Sequence, residues 1–419
     1  MKKIMIILGI ILTITTSVII VNNLNNGDNN NTINSNKKIA KNNFYTILLE
    51  TDVGSGEYIE STSDEWPSDD YVLNKKLSGC KNGSELSFDE ENKIIYVSAV
   101  SNDSCYVYFS KGILFSDYIK DLYTTDGAND LYLHDGIGNY GILEAGDNSY
   151  RYTGSNPSNY VCFGTDASSC PVDNLYRIIG VFEDNVKLIK YDYGNVEELG
   201  NNVDYQGSSR TPNSDYYNGA LSRVPEYYWN NDNYNNTYNS TGYYNVWKYS
   251  ALNTNNLNYL YINTFEQLWI DKIKLAQWQI GGVPNSVGTT TVKNVFDYEL
   301  GDNRINTSPF EVINTKIGLI YISDYGYASS PNYWTTDLED YRANSNALHN
   351  NWLYIGFGDW TITRVSDNNN SSYYIGTQGG VSPGNVSVDK NGIRPTFYLN
   401  DSVTYVSGDG SIDNPYIIN

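Results

Sequence analysis

The 419-residue chain contains little histidine, and it lacks the sequence motifs of the common enzyme classes. Its two histidines, His134 and His349, argue against a zinc site or a Ser-His-Asp triad, because both need imidazoles with specific partners. Phosphate-binding, dinucleotide-binding, nucleophile-elbow and zinc-protease motifs are also missing. We therefore predict hydrogen-bonded loop histidines, no metal site and no catalytic constellation.

Positive charge is scarce as well, with 27 basic residues against 48 acidic ones and a net charge of -21. Residues 1–42 hold five lysines and one aspartate, so the remainder carries -25. Such an acidic surface repels the phosphate backbone of nucleic acids, which we exclude as partners. Cationic ligands, Ca²⁺ and neutral sugars stay open, and solubility alone also accounts for the charge.

The cysteines are few and show no C-x-x-C spacing, which argues against zinc and thiol-redox sites. Four cysteines allow three pairings on paper. Short separations and the domain boundary described below favour Cys80 with Cys105 and Cys162 with Cys170. Disulfides persist in oxidising compartments, so these pairs predict an exported protein.

The N-terminus contains an uncharged run of 18 residues, Ile4 to Val21, directly after Lys2 and Lys3. As a helix this run would measure about 27 Å, near the minimum for a bilayer core. A cleaved secretory signal has a similar layout, but no small-residue cleavage site follows. We favour an uncleaved signal anchor over residues 1–21, which would make the protein single-pass in the cell membrane with its bulk extracellular.

Composition divides the rest of the chain into three parts. Residues 22–43 are rich in Asn and poor in apolar side chains, so we expect a disordered stalk. Residues 44–111 hold "FYTILLE", a hairpin in "SELSFDEENKIIYVSAV" and the strand "CYVYF", which predict a small β-sandwich-like domain stapled by one disulfide. Residues 112–419 predict a large α+β domain with few helices and many short strands.

Several elements of the large domain are predicted from periodicity. "ILFSDYIKDLY" indicates a helix, and "LYRIIGVFEDNVKLIKYDY" indicates a hairpin. Two helices follow in "SALNTNNLNYLY" and "TFEQLWIDKIKLAQW". We expect the second to have a Thr264–Gln267 capping box and a buried stripe of Phe265, Leu268, Trp269, Ile273 and Ala276. Strands are expected in "KIGLIYIS", "WLYIGFGDWTITRV", "GIRPTFYL" and "PYII".

The segment from Pro225 to Trp247 has six Tyr, two Trp and seven Asn in 23 residues. We predict that its two ends belong to the core and that its middle is a contact surface, because Tyr and Asn are also favoured in binding loops. Tyr234, Tyr238 and Tyr243 are the predicted ligand-binding residues. The alternative is compositional, since Asn and Tyr are frequent throughout the chain.

Two further groups of residues have open interpretations. Trp334, Trp360 and Arg364 could face a ligand, or they could be structural, with the arginine satisfying buried carbonyls or stacking on tryptophan. The oxygen-rich stretches "SDNNNSS" at Ser366 and "DGSIDN" at Asp409 suit Ca²⁺, but they suit turns as well, and neither has the EF-hand register. Calcium is therefore the one cofactor that the sequence leaves open.

Several motifs recur in a fixed order: "YRIIGVFEDNVKLIK", a W-x-x-S-x-L-N helix start at Trp247, "KIGLIYISDYG", "WTITR" and "GIRPTFYL". In this order, residues 174–400 resemble a surface-protein domain of unknown function from Gram-positive bacteria, itself similar to the formylglycine-generating-enzyme-like and C-type-lectin-like folds. The resemblance implies that Gly392 to Pro395 lie at a closing strand and that Ser366 to Asn391 form a solvent-facing loop. The late cysteines of the oxidising enzymes and the E-P-N or Q-P-D calcium motifs of lectins are absent, so neither activity carries over.

These observations predict a membrane-anchored bacterial cell-surface protein, a non-enzymatic adhesin or ligand-binding protein that recognises a glycan or a protein. Two alternatives stay open. One is an extracellular hydrolase that uses Asp or Glu on a polysaccharide or the cell wall, because 48 acidic residues could place two carboxylates in a cleft. The other is a structural envelope protein whose acidic surface and stalk matter more than any ligand.

Overall fold

The protein is described by a computed structural model that covers residues 45–419 except 53–54, 69–70, 91, 168, 202–204, 232–241, 286–289 and 307–309. Strand residues outnumber helical residues, 33% against 21%, so the predicted β-rich character is confirmed. The chain divides between Lys111 and Gly112, where the sequence also places a domain boundary. The predicted signal anchor and stalk lie outside the described residues. Within the described residues, no helix combines the length and apolar character needed to cross a bilayer.

The first unit contains a four-stranded sheet in the order β2-β1-β6-β3 and a separate two-stranded hairpin, β4-β5. Its strands are β1 (Tyr45–Glu50), β2 (Tyr58–Glu60), β3 (Tyr71–Cys80), β4 (Glu85–Asp89), β5 (Ile94–Ser98) and β6 (Cys105–Lys111). The hairpin predicted from alternating apolar residues is confirmed, with Leu86 opposite Val97 and Phe88 opposite Ile95.

The core of this unit lies between the sheet and the hairpin. Ile47, Val107 and Phe109 are buried, and Phe88 and Ile95 of the hairpin pack against them. The predicted Cys80–Cys105 disulfide is confirmed, and it joins the end of β3 to the start of β6. The disulfide adds stability to a small domain, in which few residues are available to form a hydrophobic core.

The second unit contains many short strands and few helices. Its strands are β7 (Ile113–Leu114), β8 (Leu131–Leu133), β9 (Tyr150–Tyr152), β10 (Tyr160–Cys162), β11 (Leu175–Phe182), β12 (Asn185–Lys190), β13 (Tyr205–Arg210), β14 (Val224–Tyr227), β15 (Ala276–Ile280), β16 (Gly282–Val283), β17 (Glu311–Thr315), β18 (Ile317–Gly318), β19 (Asp359–Val365), β20 (Ser371–Ile375), β21 (Val381–Asn385), β22 (Thr396–Tyr398), β23 (Thr404–Ser407) and β24 (Ile417–Ile418).

Helices connect these strands. The α-helices are α1 (Phe115–Asp121), α2 (Val196–Leu199), α3 (Gln267–Lys272), α4 (Val292–Glu299), α5 (Ile322–Tyr327) and α6 (Ser345–His349). Leu252–Tyr261 is a π-helix. The 3₁₀ turns are Ala128–Asp130, Gly141–Leu143, Val172–Asn174, Trp247–Tyr249, Ile262–Thr264, Asp302–Asn306, Pro331–Tyr333 and Asp340–Ala343. The predicted helix at the start of this unit is confirmed as α1, which buries Phe115 and Ile119.

A seven-stranded sheet in the order β18-β22-β12-β11-β9-β8, with β10 beside β11, forms the centre of the second unit. The predicted hairpin is confirmed as β11-β12, and nearly all of its residues are buried. Burial of successive residues means that both faces of these strands are covered, although such coverage is more common in parallel sheets. Strand β22, which follows Gly392 to Pro395, lies between β12 and β18. The Cys162–Cys170 disulfide is also confirmed.

A second sheet has the strand order β16-β19-β20-β21. It corrects the expectation that Ser366 to Asn391 form one long loop, because β20 and β21 make a regular antiparallel hairpin within that segment. Tyr373, Ile375 and Val381 of this hairpin are buried. The burial of these side chains stabilises the two strands. The Asn- and Ser-rich residues on either side suggested a loop instead.

Two local predictions in the second unit are wrong. The Thr264–Gln267 capping box does not form, because α3 begins after Glu266 and the Thr264 hydroxyl donates to the carbonyl of Tyr261 (2.7 Å). The predicted stripe also fails at Leu268, which is 44% exposed, and α3 ends at Lys272. Beyond it the backbone becomes extended and pairs with other strands, since Ile273 bridges Leu399.

The segment "KIGLIYIS" forms a strand only over Ile317–Gly318, and α5 begins at Ile322. A buried carboxylate explains this helix. Glu299, at the end of α4, accepts hydrogen bonds from the backbone N–H groups of Ile322 (3.0 Å) and Ser323 (3.1 Å). Asp324 in the first turn accepts from the N–H of Tyr321 (3.0 Å). The otherwise unpaired N–H groups of the helix start are thus satisfied.

Asp324 is also the centre of a buried charge cluster. Its two carboxylate oxygens pair with Arg151 (3.2 Å) and Lys187 (2.6 Å), and all three side chains are at most 2% exposed. Buried charges are stable only when paired, so this cluster ties α5 to β9 and β12.

Candidate ligand-binding cleft

The residues that the sequence singled out lie in three different environments. Tyr234 and Tyr238 fall outside the described residues. Tyr243 is 36% exposed, so its side chain is accessible to a ligand. The remaining three, Trp334, Trp360 and Arg364, are at most 1% exposed.

The indole N–H groups of the two tryptophans donate to backbone carbonyls, Trp334 to Ser329 (2.9 Å) and Trp360 to Tyr227 (2.8 Å). Burial lowers the pKa of Arg364 to about 10, and the neighbouring Glu311 carboxylate opposes that shift. A dissolved ligand cannot reach these three side chains, and their burial matches the structural interpretation.

The ends of the aromatic segment belong to the core, as predicted. Trp229 and Trp247 are fully buried, with their rings 5.1 Å apart. Asn245 donates to the carbonyls of Val365, Asn368 and Ser371 at 2.7–3.0 Å. Tyr243 therefore sits close to an anchored part of the chain.

Both histidines contact other groups of the protein, and Nδ1 of His349, at the end of α6, lies 2.7 Å from the carbonyl oxygen of Ser345. His134 is fully buried, accepts from the N–H of Ala145 (3.1 Å) and packs against Tyr327 and Trp334. Burial lowers the pKa of His134 to about 3, and the positive charge of Arg151 adds to this effect. His134 is therefore neutral at physiological pH.

The oxygen-rich stretches use their carboxylates in backbone contacts, one with a distant segment and one within the same turn. Asp367 accepts from the N–H of Asn285 (2.8 Å), and Asp409 accepts from the N–H of Ser411 (3.0 Å). In the part of the chain that the structure describes, one group of potential metal-ligand atoms clusters closely, Cys80, Asp103 and Cys105. The two sulfur atoms of that group form the disulfide, so it does not fit a metal ion.

A polar cleft of about 550 Å³ opens beside the β20-β21 hairpin, a size that suits a small ligand such as one or two sugar rings. Ten of its 13 lining residues come from the segment 374–391 and the others from β13, β14 and the 3₁₀ turn Asp340–Ala343. The lining residues are Arg210, Glu226, Arg342, Tyr374, Gly376, Thr377, Gln378, Gly380, Ser382, Val388, Asp389, Lys390 and Asn391.

Arg210 is held in place at one wall of the cleft. Its Nε and Nη2 atoms donate to Oε1 of Glu226 at 3.0 and 2.6 Å, and its guanidinium lies 5.0 Å from the ring centre of Phe357. The Glu226 side chain is fully buried, whereas that of Arg210 is 52% exposed. Contacts on a buried carboxylate and an aromatic ring reduce the rotamer freedom of the arginine before any ligand binds.

Arg342 lies over a tight turn at another wall. The turn closes with hydrogen bonds from Gly376 to Gly380 and from Gly379 to Gly376, both 2.8 Å. A side chain on Gly380 would place its Cβ 2.9 Å from the Cβ of Arg342, so glycine permits this close approach. The Arg342 side chain is 53% exposed and pairs with Glu339 (2.8 Å).

Tyr374 supplies the aromatic surface of the cleft. Its ring packs edge-to-face on buried Trp360, with centroids 5.6 Å apart. The ring also crosses the backbone at Gly384, where an added Cβ would lie 2.8 Å from a ring carbon. Burial raises the pKa of Tyr374, with Asp389 adding to the rise and Arg210 opposing it, so both charges are felt at its hydroxyl.

A second cavity of about 410 Å³ has acidic walls that include Glu144, Asp147, Asp297 and Asp302. Asp135, next to Glu144, accepts hydrogen bonds from the N–H groups of Ile137 (2.7 Å) and Gly138 (3.0 Å), and these bonds lower its pKa. Burial raises the pKa of Glu144, and the negative charge of Asp135 adds to the rise. One carboxyl group is thus driven towards its ionised form and its neighbour towards its protonated form.

Sequence reasoning missed Arg210, Glu226, Arg342 and Tyr374. The predicted solvent-facing segment 366–391 overlaps most of the cleft lining, although it forms a hairpin and not the expected loop. The arginines carry no local signal, because 132 positions separate them and only the fold brings them together. Comparison of this chain with family models, curated proteins and solved structures found no match.

Proposed function

We propose that this chain is a membrane-anchored cell-surface protein of a Gram-positive bacterium that binds a glycan in the cleft beside β20-β21. The observation that carries the proposal is the cleft itself, which combines one half-buried aromatic ring, Tyr374, with arginine, lysine, amide and hydroxyl groups. Sugars are recognised by such mixtures, because their C–H faces pack on an aromatic ring while their hydroxyls need polar partners.

Two features support an extracellular location. Both disulfides form among the described residues, and disulfides are typical of oxidising compartments. The basic and apolar N-terminal sequence predicts the anchor, with residues 22–43 as a stalk that would hold the two units away from the membrane.

We also propose that the second unit is a distant relative of the C-type-lectin-like fold. The order of motifs between 174 and 400 supports this relation, as does the position of β22 beside the β11-β12 hairpin. The resemblance implies a solvent-facing segment before the closing strand, and the cleft here is lined mainly by 374–391, which precede β22.

Glycan-array binding by the full-length protein in detergent micelles tests the proposal. Tyr374→Ala removes the aromatic face and should weaken binding of any array-positive glycan by about tenfold, the scale of one lost aromatic contact. Tyr259→Ala is the matched control, because Tyr259 is 61% exposed and lies outside the cleft lining. Equal loss in both variants, or loss in neither, would contradict the cleft assignment.

The aromatic segment gives an independent arm of the same experiment. Tyr234→Ala, Tyr238→Ala and Tyr243→Ala test the binding loop predicted from sequence. Loss of binding in these variants but not in Tyr374→Ala would move the site to that loop. Absence of any glycan binding by the wild-type protein would favour a protein ligand or a structural role in the envelope.

The second cavity favours one alternative function, a hydrolase that uses carboxyl groups on a polysaccharide. Glu144 lines this cavity, and burial raises its pKa, the direction that suits a general acid. Asp135 lies next to Glu144 but outside the cavity lining, and backbone hydrogen bonds lower its pKa, which favours its ionised form. Release of reducing sugar from cell-wall polysaccharide, abolished by Glu144→Gln but not by Asp302→Asn, would support it. No release by the wild-type protein would eliminate it.

A further inference from the structure

The charge of the cleft differs from the charge of the protein. Acidic residues outnumber basic ones by 48 to 27 in the whole chain, yet the cleft lining contains three basic side chains, Arg210, Arg342 and Lys390, and two acidic ones. Within the lining the basic side chains exceed the acidic ones by one, whereas acidic residues predominate in the whole chain. This reversal of sign favours a negative group on the ligand.

The two acidic residues of the lining are not equivalent. Glu226 is fully buried and already accepts two hydrogen bonds from Arg210, so its charge is compensated inside the protein. Asp389 is exposed, and its Oδ2 accepts from the N–H of Asn385 (2.7 Å). Among the lining carboxylates, Asp389 is therefore the one that faces solvent. Its negative charge repels an anionic ligand and so weakens the binding of that ligand.

The two arginines are positioned rather than merely present. Glu226 and Phe357 fix Arg210, and the backbone at Gly380 together with Glu339 fixes Arg342. About half of each side chain remains exposed. Arg210 uses its Nε and Nη2 atoms on Glu226, and Arg342 pairs through Nη2 with Glu339. The remaining N–H groups of each guanidinium can still donate charge-assisted hydrogen bonds, which favour a carboxylate over a hydroxyl.

From this arrangement we infer that the cleft selects a sugar that carries a carboxylate, with Tyr374 under the ring and the arginines on the acid group. The inference rests on the proposed glycan-binding function and names its ligand class. Two sources share this chemistry, a terminal sialic acid and a uronic acid within a polysaccharide. The negative charge of the rest of the protein slows the approach of such a ligand. Surface charges more than a Debye length from the bound ligand, roughly 8 Å, have little effect on it because salt screens them.

Titration calorimetry with the full-length protein in detergent tests the inference with three probes: sialyllactose, a hyaluronan oligosaccharide and lactose as the neutral match. Binding of either acidic probe at least about tenfold tighter than lactose is expected, since a charge-assisted pair contributes roughly 1.4 kcal/mol or more. The stronger of the two acidic probes identifies the source of the carboxylate.

Variants then locate the effect. Arg342→Gln should weaken acidic-sugar binding by about tenfold, and Asp389→Asn should strengthen it by about twofold to threefold. Arg210→Lys keeps a cation on buried Glu226, so it preserves the fold while removing the guanidinium. Arg223→Gln is the matched control, because Arg223 is exposed and lies outside the lining of both cavities.

The outcomes separate this inference from the proposed function. Lactose binding as tight as acidic-sugar binding, lost in Tyr374→Ala but unchanged in Arg342→Gln, overturns the carboxylate selectivity and leaves glycan binding standing. Acidic-sugar binding that no cleft variant changes also overturns the inference. Absence of binding by all three probes and across the glycan array overturns both.

Discussion

Replacement of Glu299 by glutamine should remove a pH dependence of folding from the second unit. Glu299 is 1% exposed, and its carboxyl group accepts from the N–H groups of Ile322 and Ser323 and from the Thr363 hydroxyl. Burial is the largest influence and raises the pKa to about 7 from 4.5, with help from the charge of Asp324, while the hydrogen bonds oppose the rise. Over most of the acidic pH range the carboxyl group of Glu299 is therefore protonated in the folded protein.

The sign of the effect follows from the two pKa values. Below about pH 4.5 the carboxyl group is protonated in both states and has no effect on stability. Between about pH 4.5 and 7 the unfolded chain loses the proton while the folded protein keeps it, so the free energy of unfolding falls as the pH rises. A pKa difference of about 2.5 corresponds to roughly 3 kcal/mol, and above pH 7 this loss is complete.

Denaturant unfolding of the full-length protein at pH 5 and pH 8 measures the effect. The wild-type protein should lose about 3 kcal/mol more between these pH values than Glu299→Gln does. Glu266→Gln is the control, because Glu266 is exposed, and it should behave like the wild type. Equal losses in wild type and Glu299→Gln would refute the reasoning, since they would mean that Glu299 has the same pKa in both states.

Three further variants test the architecture. Cys80→Ala with Cys105→Ala should destabilise the first unit by about 3 kcal/mol in thermal unfolding, because the bond closes a loop with a separation of 25 residues; no change in Tm would contradict this. Asp324→Asn should cost about 3–5 kcal/mol in denaturant unfolding, since it leaves two buried cations without their shared carboxylate, and a loss below 1 kcal/mol would show the cluster to be unimportant. Trp360→Ala should cost about 3–5 kcal/mol because the side chain is buried, and an unchanged unfolding midpoint would argue against its place in the core.

Elements set by short-range patterns were predictable from the sequence. Alternating apolar residues located the β4-β5 hairpin, and two apolar runs around a tight turn located β11-β12. The cysteine pairs followed from their short separations. In each case the partners lie close in sequence, so local physics determines the structure.

Elements decided by distant partners were not predictable. The helix α5 starts where it does because Glu299, more than 20 residues earlier, accepts its first N–H groups. The extended backbone at Ile273 is held by an isolated β-bridge to Leu399. The cleft depends on β13, a 3₁₀ turn and the β20-β21 hairpin meeting in space, and no sequence window contains all three. Tertiary contacts of this kind override local propensity.

Three buried residues from the predicted binding set, Trp334, Trp360 and Arg364, illustrate the same limit. Trp334, Trp360 and Arg364 have the composition of a binding surface, but each is buried and the tryptophan N–H groups bond to backbone carbonyls. Composition alone does not distinguish an aromatic residue of the core from one that faces a ligand. Both positions favour side chains with a large apolar ring and one polar group.

Hydrogen–deuterium exchange of the full-length protein, with and without a saturating glycan identified on the array, tests the central claim most directly. Ligand binding in the cleft should slow amide exchange in peptides that cover 374–391 and in the peptide that contains Arg210. Slowed exchange confined to residues around Tyr243, or to the acidic cavity around Glu144, with no change at 374–391, would contradict the assignment of the binding site to the cleft.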